Sequence, residues 1–243
     1  MEKTILLFDM DGTLTKPRNK ITNEMKEFLK EAGKKVDLGV VSGSDLPKLI
    51  EQLGEDVKDY FKYVFCENGL VTFEEGECIC RMSLKEHIGQ EKYNEIVNFV
   101  LKELALIDIP VKTGTFIELR SGNLNISPIG RNCTQKERDE FNKLDNERHI
   151  RQQLIDKIKE RFPDLEFVYA IGGQISFDCF PVGWDKTFSL NHIKDLYETF
   201  IFFGDKTMKG GNDYEMAQSP LITKVHQVSG PEEVMEIMKS MGL

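Results

Sequence analysis

The sequence predicts an α/β protein, a parallel-sheet core interrupted by an inserted α+β segment of antiparallel sheet and helices. Near both ends of the chain, short apolar runs stop at Gly or Asp. They alternate with apolar positions at helical spacing, as the strand–helix units of a parallel sheet do. From about residue 83 apolar and polar residues alternate instead, the mark of a sheet with one wet face. At 243 residues the chain suffices for one large domain or two small ones. The pattern assigns 1–82 and 187–243 to the core and 83–186 to the insert.

Each element has its own signal. Ile5-Leu6-Leu7-Phe8 reads as a buried strand that ends near Asp9. Thr22 caps a helix running to about Ala32, with Ile21, Met25, Phe28 and Leu29 on one face. Val36–Val41 is a second buried strand, ended by Ser42-Gly43-Ser44-Asp45. Asp45 caps the next helix, whose apolar face is Leu46, Leu49, Ile50 and Leu53. Tyr63–Cys66 is a third strand, followed by the turn signal Glu67-Asn68-Gly69. In the insert, a polar helix is expected over 90–105. The alternating runs Thr115–Arg120 and Asn123–Ser127 make a hairpin around Ser121-Gly122. A charged helix over 134–161 and strands near 165–170 and 174–179 complete it. After Gly183-Trp184-Asp185-Lys186 a helix is expected over 186–197, then the apolar strand Phe200–Phe203, ended by Gly204-Asp205.

Composition narrows the function. A formal net charge of −9 argues against nucleic acid as a partner, because backbone phosphates would be repelled. A small anionic substrate remains open, since a local basic patch can override the global sign. The first apolar run is too short for a signal peptide and no run approaches a membrane span, so a cytoplasmic protein is expected. Five scattered cysteines (Cys66, Cys78, Cys80, Cys133, Cys179) without a CxxC pair read as reduced thiols, Cys78 and Cys80 sharing one strand face. The four histidines lack the i, i+4 pairing of a helical zinc site.

The chemistry begins at Asp9-Met10-Asp11-Gly12-Thr13-Leu14-Thr15. Carboxylates at the carboxyl end of a parallel strand face the ligand crevice. Two together are costly to bury unless a cation or hydrogen bonds compensate. Magnesium is hard and oxygen-seeking, and suits them. One carboxylate is then available to attack phosphorus and the other to move a proton. A second acidic cluster, Gly204-Asp205-Lys206-Thr207 with Gly210-Gly211-Asn212-Asp213, follows another apolar strand. If both strands share a sheet, Asp9, Asp11 and Asp205 line one magnesium site, with Asp213 a further candidate. Taken singly, either segment could be an acidic turn; their coincidence favours a site.

Five of the eight arginines (Arg120, Arg131, Arg138, Arg148, Arg151) fall between residues 120 and 151. Arginine's planar fork binds phosphate bidentately, so the cluster suggests an anion clamp. Arg148 and Arg151 lie in a charged helical stretch and read as a solvated face. Arg120 and Arg131 lie beside strand and turn residues and are the better anion ligands.

Asp9–Thr15 resembles the first motif of the haloacid dehalogenase superfamily of aspartate-based phosphotransferases. Ser42 or Ser44, Lys186, and Asp205 with Asp213 fit that superfamily's phosphate-binding hydroxyl, basic residue and acidic loop. The resemblance implies a Rossmann-like core, an aspartyl phosphate formed on Asp9, and Asp11 as general acid and base. The segments 114–120, 125–131, 172–178, 183–186 and 202–207 are similar to eukaryotic phosphomannomutases, and the likeness runs in order from Leu6 to about Glu215. It implies that Arg18, Arg120, Arg131, Arg138, Ser176 and Asp178 hold a sugar phosphate, with Lys186 and Ser44 on phosphate. It also implies interconversion of mannose 6-phosphate and mannose 1-phosphate, primed by a hexose 1,6-bisphosphate and supplying GDP-mannose synthesis. A homodimer formed through the cap is expected, with neither nucleic acid nor membrane as partner. Two positions depart from the pattern. Ser42 stands where many relatives carry Gly, leaving open which serine holds phosphate. Ser219 stands where relatives often have an Asp for a second, structural cation. The alternatives are a magnesium-dependent sugar-phosphate phosphatase, which would release phosphate to water, and a non-catalytic sugar-phosphate sensor. Retention of both Asp9 and Asp11 weighs against the sensor.

Overall fold

A computed structural model describes residues 3–17 and 19–243. In chain order the elements are β1 (Thr4–Asp9), α1 (Asn23–Gly33), β2 (Asp37–Val41), α2 (Leu46–Leu53), α3 (Val57–Tyr60), β3 (Tyr63–Cys66), β4 (Val71–Glu74) and β5 (Glu77–Arg81). Then come α4 (Leu84–Ile88), α5 (Gln90–Leu106), β6 (Ile117–Leu119), β7 (Leu124–Ile126), α6 (Gln135–Arg148), α7 (Ile150–Arg161), β8 (Phe167–Gly172) and β9 (Ser176–Pro181). The chain closes with β10 (Thr199–Gly204), α8 (Tyr214–Gln218), β11 (Lys224–Gln227) and α9 (Pro231–Ser240). Short 3-10 turns occupy Glu67–Gly69 and Lys186–His192. Two compact units result: Met1–Arg81 with Gly183–Leu243, and Met82–Val182. Gly183–Lys186 therefore lie with the first unit.

Among the described residues the first unit holds a seven-stranded sheet in the order β11-β10-β1-β2-β3-β4-β5. Strands β11 to β3 are parallel, and β4 and β5 add an antiparallel edge. β1 is apolar from Ile5 to Phe8 because both its faces are covered. Leu6 and Phe8 pack on the side of Met25, Leu29, Leu49 and Leu53. Ile5 and Leu7 pack on the opposite side, with Leu190, Ile193 and Met216. All four are fully buried, each contributing about 1.5–3 kcal/mol. Phe8 also stacks on Phe203 of β10, with ring centroids 4.9 Å apart. Thr22 and Asp45 cap α1 and α2, their side chains accepting from the Met25 and Lys48 amides at 3.2 and 3.0 Å.

The second unit holds an antiparallel sheet in the order β6-β7-β9-β8. Helices α6 and α7 are one continuous prediction split in two. His149 takes a left-handed φ of 52°, its amide donating to Asp145 O, and starts a new helix at Ile150. A capping box between Thr134 and Glu137 fixes the start of α6.

Several expectations need correction. The helix expected over 186–197 is the 3-10 turn Lys186–His192. The β4–β5 hairpin was not anticipated, although its Glu75-Gly76 turn, with φ of 47° and 85°, is the usual tight-hairpin solution. A bulge shifts its register, so that Cys78 pairs with Phe73 and Cys80 with Thr72. Phe73 and Thr72 are neighbours facing opposite sides of the sheet, so the two cysteines do not share a face. Among the described residues no helix is long and apolar enough to cross a membrane.

Candidate active site

The site grows from the carboxyl ends of two adjacent parallel strands. The β1–β10 register pairs Phe8 with Phe203, so Asp9 and Gly204 finish their strands side by side. β2 and β3 continue on one side of β1 while β10 and β11 lie on the other, which makes this edge a topological switch point. After Asp9 the chain turns tightly, with the Leu14 and Thr15 amides donating to Met10 O at 3.0 and 3.1 Å. Gly12 is required in that turn. Its φ is +86°, and a Cβ there would collide with the Asp205 carboxylate. Gly204 is required for a different reason, because a Cβ would lie 2.8 Å from Asp213 Oδ2.

Asp9, Asp205 and Asp213 converge here, each offering a carboxylate oxygen within 4.8 Å of the others. Lys186 lies among them at 3 % exposure, its Nζ paired with Asp9 Oδ1 and, at 2.5 Å, with Asp213 Oδ1. Asp213 Oδ2 accepts from the Lys206 amide at 3.1 Å. The lysine is held by its own turn. Asp185 accepts from the Thr187 amide at 2.8 Å, and the Ser189 hydroxyl donates to Lys186 O at 2.7 Å. Asn68 Nδ2 donates to Trp184 O at 3.1 Å, tying this turn to the loop after β3.

The charges perturb one another. Burial raises the Asp9 carboxyl to about 6, and the Asp213 and Asp205 charges add to the effect while Lys186 opposes it. Asp205 is also raised, chiefly by burial. Burial works to lower Lys186, but the attraction of Asp9 and Asp213 more than reverses this and raises it. Asp9 Oδ2 and Asp205 Oδ1 are buried without hydrogen-bond partners. Two orphaned carboxylate oxygens in one three-acid cluster are the donor set of a hard divalent cation, so the residues fit a metal.

Asp11 is placed differently from expectation. Its carboxylate is not part of the three-acid cluster and accepts from Gln52 Nε2 at 2.8 Å. The pleat explains this. Residue 11 lies past the end of β1 in the turn, bridging Thr15, so its side chain does not follow that of Asp9. Asp213, the further candidate, takes the third place in the cluster. The hydroxyl of Ser42 is buried and accepts from the Ser44 amide at 3.1 Å, while Ser44 is more open. Ser219 ends α8, and among the described residues no second metal-like cluster forms around it. Arg18 lies outside the described residues.

In the second unit, Arg120 just after β6, Arg131 in the loop after β7, and Ser176 and Asp178 on β9 come together. Arg120 donates to Glu118 Oε2 through Nε and Nη2 at 3.0 and 2.7 Å, and its Nη1 lies 3.6 Å from Asp178 Oδ1. Arg131 Nη1 donates to Asn125 Oδ1 at 2.5 Å. Asn125 Nδ2 donates to Asp178 Oδ1 at 2.8 Å and to Ser176 Oγ at 3.2 Å. Arg138 sits alongside, donating to Arg131 O at 3.0 Å. Glu118 and Asn125 escaped the sequence reading. The signal for Glu118 was its i, i+2 spacing from Arg120, which puts both on one face of a strand.

Arg151 is not the solvated helix residue expected. It is 4 % exposed, ion-paired with Asp145 at 2.7 Å, and it donates to Gly173 O and Ser176 O at 3.1 and 3.0 Å. Its guanidinium thereby fixes the β8–β9 turn that carries Ser176. Arg148 is exposed at the end of α6, donating to Asp108 O at 3.0 Å.

Comparison with known proteins gives this geometry its context. The chain is 53 % identical to phosphomannomutase 1 of Dictyostelium discoideum over 239 residues, 98 % of this chain and 96 % of the relative. It is 53 % identical to a Spinacia oleracea phosphomannomutase over 96 % of this chain and 93 % of that one. Among solved structures, a haloacid dehalogenase-like hydrolase from Bacteroides thetaiotaomicron matches with TM-score 0.59 at 16 % identity, covering 99 % of this chain and 100 % of that one. An IMP-bound Plasmodium falciparum IMP-nucleotidase matches with TM-score 0.60 at 18 % identity, covering 100 % and 69 %. At such identities the structural likeness speaks for the fold alone, a parallel-sheet α/β core with a separate antiparallel α+β unit. The model of the eukaryotic phosphomannomutase family matches residues 25–242, and with relatives half identical over nearly the whole length, the chain belongs to that family.

Proposed function

We propose that the chain interconverts mannose 6-phosphate and mannose 1-phosphate through a phosphoryl group carried on Asp9, primed by a hexose 1,6-bisphosphate. The observation that carries this is Asp9 itself. It is a buried carboxylate at a strand end, with one oxygen held by Lys186 and the other unpartnered. A carboxylate oxygen of Asp9 attacks phosphorus while the P–O bond to the sugar breaks, and Asp11 delivers a proton to the departing sugar oxygen. In the return step Asp11 removes the proton from the other sugar hydroxyl, which attacks the phosphoryl group on Asp9.

Magnesium held by Asp9, Asp205 and Asp213, bound when the enzyme is active, supplies positive charge for the phosphoryl oxygens. Lys186 adds a fixed cation on the same side. Ser44 is the phosphate-binding hydroxyl on this reading, being the more open of the two serines at the end of β2. Arg120, Arg131 and Arg138, with Arg18, Ser176 and Asp178, take the remaining phosphate and the sugar. The reading extends to a homodimer formed through the second unit and to the cytoplasm, whose reducing conditions suit free thiols such as exposed Cys78. Sedimentation checks the dimer.

Incubation with a hexose 1,6-bisphosphate and magnesium, acid quench and peptide mass analysis test the central step. A hydroxylamine-labile phosphate on the peptide carrying Asp9, missing in Asp9→Asn, is the expected result. Phosphate on another residue, or on none while turnover proceeds, would overturn it.

A further inference from the structure

We propose that Glu118 is an internal counter-anion of the arginine clamp, exchanged for phosphate when ligand binds and weakening that binding. The proposal rests on the sugar-phosphate reading above. One oxygen, Oε2, collects Arg120 Nε and Nη2 at 3.0 and 2.7 Å and has Arg131 Nε at 3.4 Å. A phosphate oxygen entering an arginine clamp needs these same donors. The sheet register explains why the carboxylate is there. Glu118 pairs with Asn125 across β6 and β7, and Asn125 pairs with Asp178 across β7 and β9, so the three form one cross-strand row.

The row distributes its work unequally. Asn125 is 3 % exposed and grips Arg131 Nη1 and Asp178. It keeps Arg131 in place whether or not Glu118 holds the other edge of that guanidinium. The Glu118 side chain is 37 % exposed, open enough to give way. Before ligand arrives, the Glu118 and Asp178 carboxylates face the Arg120 and Arg131 guanidiniums and balance them, with Arg138 adding one positive charge beside the group. Phosphate therefore enters by exchange, at a cost in affinity. A mutase gains from that cost, because its bisphosphate intermediate must leave the clamp and return by its other end. Ground-state binding that is too tight would trap it.

The test is Glu118→Gln, which keeps the shape and removes the charge. Calorimetric titration of the folded variant with mannose 6-phosphate, and separately with inorganic phosphate, reads the clamp directly. About threefold or more tighter binding of both probes than in the wild-type protein is expected. Mutase kcat should fall together with KM, a split that simple disruption of the arginines would not produce. Unchanged or weaker binding of either probe overturns the proposal. If inorganic phosphate binds more tightly but the wild-type protein shows no mutase activity, the clamp inference stands and the mutase reading fails.

Discussion

Asp9 has to be both buried and charged, and its surroundings make that state conditional. Its carboxyl titrates at about 6 when folded, against 3.8 as the ordinary value. The folded protein therefore retains a proton that the unfolded chain releases between those values. The favourable contribution of protonated Asp9 is complete below about pH 3.8 and lost as pH rises through 6. Above that, ionised Asp9 costs the metal-free fold roughly 3 kcal/mol. A cation offsets this cost by meeting the orphaned oxygens of Asp9 and Asp205. Magnesium should therefore raise the melting temperature most above about pH 7 and hardly at all below about pH 5, where protons compete for the same carboxylates. Differential scanning fluorimetry over that range checks this; an equal rise at both ends contradicts it. Asp9→Asn should abolish the magnesium-dependent rise, make the metal-free protein more stable at neutral pH, and lower turnover by about a thousandfold or more.

Elements differ in how openly the sequence announced them. The caps Thr22 and Asp45 and the run Ile5–Phe8 were legible because their determinants are local, a side-chain oxygen three residues before an amide or a strand apolar on both faces. The break at His149 was not, since a left-handed residue between two charged helical stretches leaves the composition unchanged. Arg151 shows the same limit. Its solvated reading came from the charges around it in sequence, whereas its environment is made by Asp145 and the β8–β9 turn. Breaking a buried pair strands the other charge, so Arg151→Ala should destabilise the protein by about 3–5 kcal/mol. Urea unfolding monitored by circular dichroism measures this, and a loss below about 1 kcal/mol would mean that the pair is not a clamp. Asp11 and Asp213 exchanged expected places for a related reason. Spacing told which acids gather near the strand ends, but the turn after β1 decided which of them face one another.

At the scale of the molecule, one unit supplies acids and a lysine and the other supplies arginines. This separation was legible in the sequence because Asp9, Asp205 and Asp213 flank the insert while six of the eight arginines lie within it. On the proposed reading, phosphoryl transfer belongs to the acids and lysine of the first unit and sugar-phosphate binding to the arginines of the second. The ratio of mutase turnover to phosphate release is therefore a property of the whole chain. It is best measured with mannose 1-phosphate and magnesium in a single reaction, with and without a hexose 1,6-bisphosphate, following mannose 6-phosphate and inorganic phosphate together. The predicted result is mannose 6-phosphate formation stimulated by the bisphosphate, with little phosphate released. Rapid phosphate release without mannose 6-phosphate, whether or not the bisphosphate is present, would contradict it.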